Sequence, residues 1–256
     1  MNRLQKQMAG KRKNILNVYC TAGFPKLDST LEVMKALQHN GADMIELGMP
    51  YSDPLADGPV IQHSSSIALA NGMTIHKLFE QLKGFRNEIT IPVILMGYLN
   101  PIMQYGVEKF CTQAKELGID GLILPDLPII EFETKYKSLF SKLELDLIFL
   151  VTPETAEARI RQLDELSSGF LYVVSTSSIT GTEIDFSATA SYFNRLKKMN
   201  LKNPILAGFG IKDKASFEAV CTYTNGAIIG SAYIRKLENS IDINQTTKEF
   251  IDSILG

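Results

Sequence analysis

Eight short apolar runs rich in β-branched residues recur along the chain, alternating with stretches of helical periodicity. The runs are nearly continuous in hydrophobicity, which is typical of parallel strands buried on both faces of a sheet. They are Ile15–Cys20, Met44–Met49, Pro92–Tyr98, Gly121–Asp126, Leu147–Thr152, Leu171–Ser175, Pro204–Gly210 and Gly226–Ser231. Strands and helices that alternate in this way without a break in composition predict an α/β fold, a closed (β/α)8 TIM barrel. We therefore expect residues 1–256 to form a single domain.

Amphipathic patterns predict the helices between these strands. They are Asp28–Gln38, Thr74–Phe85, Val107–Leu117, Glu131–Leu143, Thr155–Leu166, Ser187–Met199, Asp213–Thr222 and Asn244–Leu255. Several begin with a side chain that can cap free backbone N–H groups, namely Asp28, Thr74, Thr155, Ser187 and Asp213. The segment Arg3–Lys13, which precedes the first strand, predicts an extra N-terminal helix that plugs the floor of the barrel.

Charge and composition exclude several classes of function. The chain has 26 Lys and Arg against 28 Asp and Glu, and this near neutrality argues against a nucleic acid or a membrane surface as partner. No apolar run reaches the ~18 residues of a membrane span. Three scattered cysteines and three histidines suit neither a disulfide framework nor a metal site, so we expect a cytoplasmic protein without a metal.

A carboxylate interrupts the second apolar run. In TIM barrels the chemistry lies at the C-terminal ends of the strands. Two-residue alternation places Glu46 on the face opposite Ile45 and Leu47, which points it into the barrel mouth. Burying a carboxylate is costly unless it is paired or protonated. Glu46 is therefore either half of a structural ion pair or a general acid/base whose pKa is raised by burial.

The loop after this run carries two more acids, Asp53 and Asp57, between three prolines that stiffen it. A lone loop aspartate usually bonds its own turn. Asp57 beside a buried Glu46 forms a pair of carboxylates that can hold different protonation states, so that one donates while the other accepts. Tyr172, in the sixth run, either lines the pocket or is a packed core tyrosine.

Glycines at the ends of the last strands predict a phosphate site. A Ser/Thr-rich stretch over 175–182 follows the sixth run, Gly208 and Gly210 end the seventh, and Gly230 with Ser231 ends the eighth. Loops in this part of a TIM barrel commonly bind phosphate through backbone N–H groups and a helix N-terminus. Ordinary turns are the competing explanation.

The remaining strand ends narrow the chemistry. None of the eight carries a lysine, which argues against a Schiff-base aldolase. Apolar and aromatic residues at or near the strand ends would suit a substrate with a flat apolar part, although such residues often belong to the core. They are Tyr19, Met96, Ile123, Leu150, Tyr172 and Phe209. Acid/base chemistry on a phosphorylated substrate remains.

The run of residues from Glu46 to Pro59 resembles the signature of the tryptophan synthase alpha chain family. Shorter matches extend the resemblance along the chain: 21–25, 125–128, Thr180-Gly181 and 208–210. The resemblance implies a TIM barrel that cleaves indole-3-glycerol phosphate to indole and glyceraldehyde 3-phosphate. It also implies that Glu46 is the general acid/base, that Asp57 binds the indole N–H, and that Tyr172 lines the pocket.

The same resemblance implies the other contacts. Thr180, Gly181, Gly210, Gly230 and Ser231 would bind the phosphate part of the substrate, and Tyr19, Met96, Ile123, Leu150 and Phe209 would hold the indole. A β chain containing pyridoxal phosphate would receive the indole in an αββα heterotetramer, so this chain would need no cofactor. The interface with the β chain would include Asp53, Pro54, Leu55, Asp126 and Pro128.

One departure stands against the family pattern. Many members carry an arginine and a glycine in the loop after the sixth strand, where this chain has Thr176 and Ser178. Two alternatives stay open: another phosphate-binding barrel, such as an isomerase or epimerase, and a catalytically silent barrel that only activates the β chain. The silent barrel would be indifferent to Asp57→Asn.

Overall fold

The sheet of this protein closes into a barrel of parallel strands. The computed structural model describes residues 2–174, 186–208 and 210–256. The strands in these ranges are β1 (Ile15–Thr21), β2 (Met44–Gly48), β3 (Val93–Met96), β4 (Gly121–Ile123), β5 (Asp146–Ile148), β6 (Leu150–Val151), β7 (Leu171–Val174), β8 (Ile205–Gly208) and β9 (Gly226–Ile229). Their order is β5-β4-β3-β2-β1-β9-β8-β7-β6, and every observed pairing is parallel.

The fifth predicted strand joins the two ends of this sheet. It is observed as two pieces, β5 and β6, separated only by Phe149. The first piece pairs with β4 and the second with β7, while the Phe149 carbonyl accepts a hydrogen bond from the Tyr172 N–H at 3.0 Å. Since β5 and β6 together form one strand that pairs with β4 on one side and β7 on the other, the barrel has eight strand positions. The predicted (β/α)8 fold is confirmed.

Helices surround the barrel. They are α1 (Arg3–Gly10), α2 (Thr30–His39), α3 (Pro59–Ala70), α4 (Ile75–Gln81), α5 (Leu99–Tyr105), α6 (Val107–Leu117), α7 (Ile129–Glu131), α8 (Lys137–Leu143), α9 (Glu157–Leu166), α10 (Phe186–Lys198), α11 (Lys214–Cys221), α12 (Ser231–Glu238) and α13 (Ile243–Leu255). Short 3₁₀ turns occupy Leu27–Ser29 and Phe85–Asn87, and a π-helical turn over Phe132–Tyr136 joins α7 to α8.

Three of these helices are absent from the sequence-based prediction. α3, α5 and α12 follow strands β2, β3 and β9, in segments that the apolar pattern assigns to loops or strand ends. α3 starts at Pro59, where a proline costs no intrahelical hydrogen bond, and its serine-rich sequence has little amphipathic contrast. Its helical state follows from packing against β1 and α12.

Two of the predicted caps are observed. The Thr74 side chain accepts from the Lys77 N–H, and Asp213 forms a reciprocal capping box with Ser216. Thr155 instead bonds the Thr152 N–H at 3.0 Å in a turn, and α9 begins without a side-chain cap. Asp28 lies inside a 3₁₀ turn, and α2 likewise lacks a side-chain cap.

The N-terminal helix covers the floor of the barrel, as predicted, although it ends at Gly10. Leu4 and Met8 are buried against the core. Asn2 Nδ2 donates to Asp146 Oδ2 at 2.8 Å, and Arg3 pairs with Asp120 at 3.3 Å. Asp120 and Asp146 lie at the N-terminal ends of β4 and β5, so these polar contacts tie α1 to the end of the barrel opposite the predicted site.

Within the described residues, no helix combines the length and apolar character that crossing a bilayer requires. The same ranges contain no group of three or more His, Cys, Asp or Glu side chains that could hold a metal ion.

Candidate active site

A cavity of about 380 Å³ opens at the C-terminal ends of the strands. Its wall combines side chains from inside the barrel with loop residues that follow β2, β8 and β9. The lining residues are Tyr19, Glu46, Asp57, Gly58, Pro59, Val60, Ile61, Met96, Tyr172, Gly210, Ile211, Lys212, Ile228, Gly230, Ser231, Ala232 and Arg235. Its size and its mixture of apolar walls with a few polar groups are typical of a small-molecule site.

Glu46 lies in the middle of β2, opposite Tyr19 of β1 and Ile94 of β3, and its side chain is 1% exposed. Burial, together with the nearby Asp57 carboxylate, raises the pKa of this carboxyl to about 8. In the observed orientation of its amide, a hydrogen bond donated by Asn17 Nδ2 acts in the opposite direction. Glu46 is therefore protonated at neutral pH, as a general acid must be before it donates.

Asp57 lies on the loop after β2 and is partly buried. Burial raises the pKa of its carboxyl, and a hydrogen bond from the Tyr98 hydroxyl opposes that rise. The same hydroxyl accepts from the Ala56 N–H at 3.0 Å, so Tyr98 holds both the loop and the carboxylate. The rings of Tyr98 and Tyr51 lie 5.3 Å apart and pack together beneath this loop.

Two tyrosines form the side walls of the cavity. The Tyr19 ring leans across Gly48 of β2, and the Tyr172 ring leans across Gly208 of β8, so closely that a Cβ on either glycine would overlap the hydroxyl. Burial raises the pKa of both phenols well above the ordinary value, and the carboxylates of Asp57 and Glu46 add to the rise. Both phenols therefore stay neutral and present apolar ring faces to a ligand.

The opposite end of the cavity is suited to an anion. Gly210 has a φ of +77°, which favours glycine, and Gly230 precedes the first turn of α12. The first intrahelical bond of α12 is donated by Ile234 to the Gly230 carbonyl at 3.0 Å. The N–H groups of Ser231 and Ala232 therefore lack intrahelical acceptors and can bind an anion.

Two cations also border this end of the cavity. Lys212 follows Gly210 after β8, and Arg235 lies one turn into α12. Both are exposed, and neither forms an ion pair with another residue in the described part of the chain. Their charges add to the α12 N-terminus in favouring a dianion at this place.

The structure brings many of the sequence-predicted residues to one cavity. Those that border it are Tyr19, Glu46, Asp57, Met96, Tyr172, Gly210, Gly230 and Ser231. Ile123 is fully buried and Leu150 is partly buried, and neither borders the cavity as the described residues define it. Thr176, Ser178, Thr180, Gly181 and Phe209 lie outside the described residues. The roles of all these residues stay predictions.

The residues predicted to face a partner lie on loops after β2 and β4. Asp53 and Leu55 are exposed, Pro54 is partly buried, and Pro128 precedes α7. Both oxygens of Asp126 accept from the Leu99 N–H, at 2.9 and 3.0 Å, so this carboxylate also anchors the start of α5.

Sequence reasoning missed Asn17, Tyr98, Lys212 and Arg235. A signal for Asn17 exists, because it is a lone amide in the first apolar strand, two residues before Tyr19 and therefore on the same face. The two cations carry no such signal, since they lie in surface segments where lysine and arginine are common.

Comparison with known proteins gives the family. The tryptophan synthase alpha chain family matches residues 4–253. The chain belongs to this family. It is 49% identical to the tryptophan synthase alpha chain of Parabacteroides distasonis over 256 residues, which cover 100% of this chain and 98% of the relative. It is 51% identical to the alpha chain of Flavobacterium psychrophilum over 243 residues, 94% of this chain and 96% of the relative.

Solved structures show the same fold. The crystal structure of the tryptophan synthase alpha chain from Legionella pneumophila superposes with a TM-score of 0.89 at 35% identity, covering 99% of this chain and 96% of that one. Tryptophan synthase alpha chains cleave indole-3-glycerol phosphate to indole and glyceraldehyde 3-phosphate. The family is a lyase of tryptophan biosynthesis, and its alpha chains carry no cofactor, because the pyridoxal phosphate belongs to the beta chain.

Proposed function

We propose that this chain cleaves indole-3-glycerol phosphate with Glu46 as general acid/base and Asp57 as the electrostatic partner. The observation that carries the proposal is the position of a buried, protonated Glu46 in one cavity with Asp57 and with an anion-binding end. Two carboxyls in different environments can divide the donor and acceptor roles.

The reaction begins with a proton transfer to the substrate. Glu46 donates its proton to the indole carbon that carries the glycerol phosphate chain, and positive charge develops at the ring nitrogen. The Asp57 carboxylate accepts a hydrogen bond from that nitrogen and stabilises the charge. Because the charge exists only after protonation, Asp57 stabilises the transition state more than the ground state.

Bond cleavage returns the proton. The ionised Glu46 takes the proton of the glycerol hydroxyl next to the ring, the electrons of that O–H bond form the carbonyl of glyceraldehyde 3-phosphate, and the carbon–carbon bond breaks. Its electron pair neutralises the ring, which leaves as indole. Glu46 regains its starting state without a cofactor.

The cavity supports a fixed orientation of the substrate. The phosphate binds at Gly210, Gly230 and Ser231, and the predicted Thr180 and Gly181 would complete this part of the site. The indole lies between Tyr19, Met96 and Tyr172, with Ile123, Leu150 and Phe209 as its further predicted contacts. Binding at two ends holds the scissile bond beside Glu46, which lowers the entropic cost of reaching the transition state.

We also propose that a beta chain docks on the loops after β2, β3 and β4. Three large apolar side chains are exposed on neighbouring segments there: Leu55 is 84%, Met103 56% and Ile130 71% exposed. Exposed apolar side chains grouped on one face are typical of an interaction surface. Asp53, Pro54, Asp126 and Pro128 would lie in the same interface. The assembly is an αββα heterotetramer in the cytoplasm, and residues 1–256 act as one catalytic domain.

The decisive experiment measures indole release from indole-3-glycerol phosphate by the purified chain, with and without a tryptophan synthase beta chain. We expect slow release that rises sharply when the beta chain is added. Glu46→Gln and Asp57→Asn should abolish release under both conditions. No release by the unaltered chain under either condition would contradict the proposed reaction.

The loop itself offers a matched control. Asp53 lies four residues before Asp57 but is exposed and does not border the cavity. Asp53→Asn should keep the rate of the isolated chain and reduce only its stimulation by the beta chain. If Asp53→Asn and Asp57→Asn reduce the rate of the isolated chain equally, the proposed assignment of catalysis to Asp57 and of partner contact to Asp53 is wrong.

A further inference from the structure

Asn17 is a polar side chain in the interior of the barrel. It lies on β1, two residues before Tyr19 and opposite Met44 of β2, and it is 0% exposed. Its Nδ2 donates to Glu46 Oε2 at 3.3 Å. The amide therefore touches the carboxyl that is proposed as general acid/base, from the side of the barrel interior.

The amide uses only part of its hydrogen-bonding capacity. Asn17 Oδ1 is buried and has no hydrogen-bond donor among the described residues. Leaving a buried carbonyl oxygen without a donor is costly, and most buried polar atoms in proteins are paired. A branched apolar residue would fill this place in the barrel without the unpaired oxygen, although it would leave the buried Glu46 carboxyl without this partner. The buried amide is therefore unexplained by packing alone.

The proposed chemistry supplies a donor for this oxygen in one of the two protonation states of Glu46. Glu46 alternates during turnover between a carboxylate, which only accepts hydrogen bonds, and a carboxylic acid, which also has an O–H to donate. An amide offers N–H on one side and a carbonyl oxygen on the other. A half-turn about its terminal torsion exchanges the two atoms without moving the backbone.

We propose that Asn17 is a positioning residue that holds the Glu46 carboxyl in both protonation states. Its Nδ2 donates to the carboxylate, and after the half-turn its Oδ1 accepts from the O–H of the acid. The carboxyl thus keeps one orientation toward the substrate before and after it gives up its proton. This inference rests on the proposed role of Glu46.

Other ionisable groups also face Glu46, and they define what the test must separate. Tyr19 and Cys20 lie on β1, Tyr172 lies on β7, and Asp57 lies on the loop above. Burial raises the pKa of the two phenols and of the thiol, so these three stay neutral over the working range. Asp57 is the charged neighbour, and it is unchanged in every variant below.

The primary variant is Asn17→Leu, which has a similar shape and no hydrogen-bonding atoms. We expect the kcat of indole release to fall by about tenfold to a hundredfold, as for the loss of a hydrogen bond to a charged group. The KM for indole-3-glycerol phosphate should stay within about twofold, because Asn17 does not border the cavity. The alkaline limb of the pH profile should move by less than about half a unit, since both forms of Glu46 lose a partner.

A stability measurement tests the same inference without activity. Asn17→Leu should lower the free energy of unfolding by similar amounts at pH 6 and pH 9.5. Asn17→Leu should also lower the free energy of unfolding by a similar amount in a Glu46→Gln background, because the uncharged glutamine side chain resembles the protonated form of Glu46. If Asn17 binds only the carboxylate form of Glu46, the loss of stability in Asn17→Leu will grow with pH. The midpoint of the alkaline limb will then move to higher pH by about one unit or more, and the inference is wrong.

Two further variants complete the test. Asn17→Ala removes the amide without adding bulk and gives the same readouts if the leucine variant does not fold. Thr247→Val removes a different buried hydrogen bond, that between Thr247 Oγ1 and Tyr233 Oη at 2.7 Å, and should reduce stability while leaving kcat unchanged. Unchanged kcat in both Asn17 variants would also overturn the inference. Absence of indole release by the unaltered chain would overturn the function instead, while the two-pH stability comparison would still decide the role of Asn17.

Discussion

Replacing Glu46 by glutamine should make the protein more stable in alkaline solution while abolishing its activity. The unaltered carboxyl is buried in the barrel, and its pKa rises on folding from the ordinary value of 4.5 to about 8. Glutamine has nearly the same shape and never carries a charge. The variant therefore removes the burial of a negative charge and keeps the packing of the cavity wall.

The sign of the effect follows from proton binding. Below pH 4.5 both the folded and the unfolded chain hold this proton; between 4.5 and about 8 only the folded chain does. The free energy of unfolding therefore falls as pH rises through this window. At about 1.4 kcal/mol per pH unit, the change from 4.5 to about 8 corresponds to on the order of 5 kcal/mol, fully expressed above pH 8. Relaxation of the cavity and entry of water reduce this free-energy difference.

The assay is urea unfolding of the unaltered chain and of Glu46→Gln between pH 5 and pH 9.5. We expect the difference between the two free energies of unfolding to shift in favour of the variant as pH rises, by several kcal/mol in total. Indole release by the unaltered chain should fall with a midpoint near pH 8, and the variant should release none. A stability difference that is the same at both ends of the pH range would refute the reasoning.

Three other perturbations test the packing, the anion end and the barrel floor. Gly48→Ala places a methyl group against the Tyr19 ring and should cost about 1–3 kcal/mol with loss of indole release. Gly58→Ala meets no atom of the described residues within 4 Å and should change the free energy of unfolding in urea by less than about 0.5 kcal/mol. Combining Lys212→Ala with Arg235→Ala should raise the KM several-fold and flatten its dependence on NaCl, and an unchanged salt dependence would contradict this role. Arg86→Leu removes the nearer of two cationic partners of the buried Asp120 carboxylate, at 2.5 Å, and leaves Arg3 at 3.3 Å. It should cost about 3 kcal/mol, while a thermal midpoint equal to that of the unaltered chain would show that the pair is dispensable.

Local patterns were sufficient for most of the architecture. Continuous apolar runs identify the strands, because a strand that is buried on both faces of the sheet needs apolar side chains at successive positions. The isolated acid at Glu46 and the loop acid at Asp57 stand out for the same reason, since a charge in an apolar stretch is costly unless it has a use. Helix α3 was missed because it is stabilised by packing on β1 and α12 rather than by an amphipathic pattern of its own. Helix α12 is amphipathic, but it begins directly after β9 and was read as the end of that strand.

Contacts between side chains from different strands depend on register and on the curvature of the barrel. Asn17 and Glu46 are 29 positions apart, and only the parallel pairing of β1 with β2 brings their side chains within hydrogen-bonding distance. Lys212 and Arg235 reach one end of the cavity because their segments follow neighbouring strands. The split of the fifth strand at Phe149 arises because that segment must pair with both ends of the sheet.

What the sequence determines and what only the tertiary structure determines differ for one physical reason. Periodicity, capping and buried charge are properties of neighbouring residues, so a single chain displays them before it folds. The elevated pKa of Glu46, the partners of its carboxyl and the convergence of cations on the anion end are properties of distances across the barrel. Those distances are set only when the sheet closes, and closure requires all eight strand positions together.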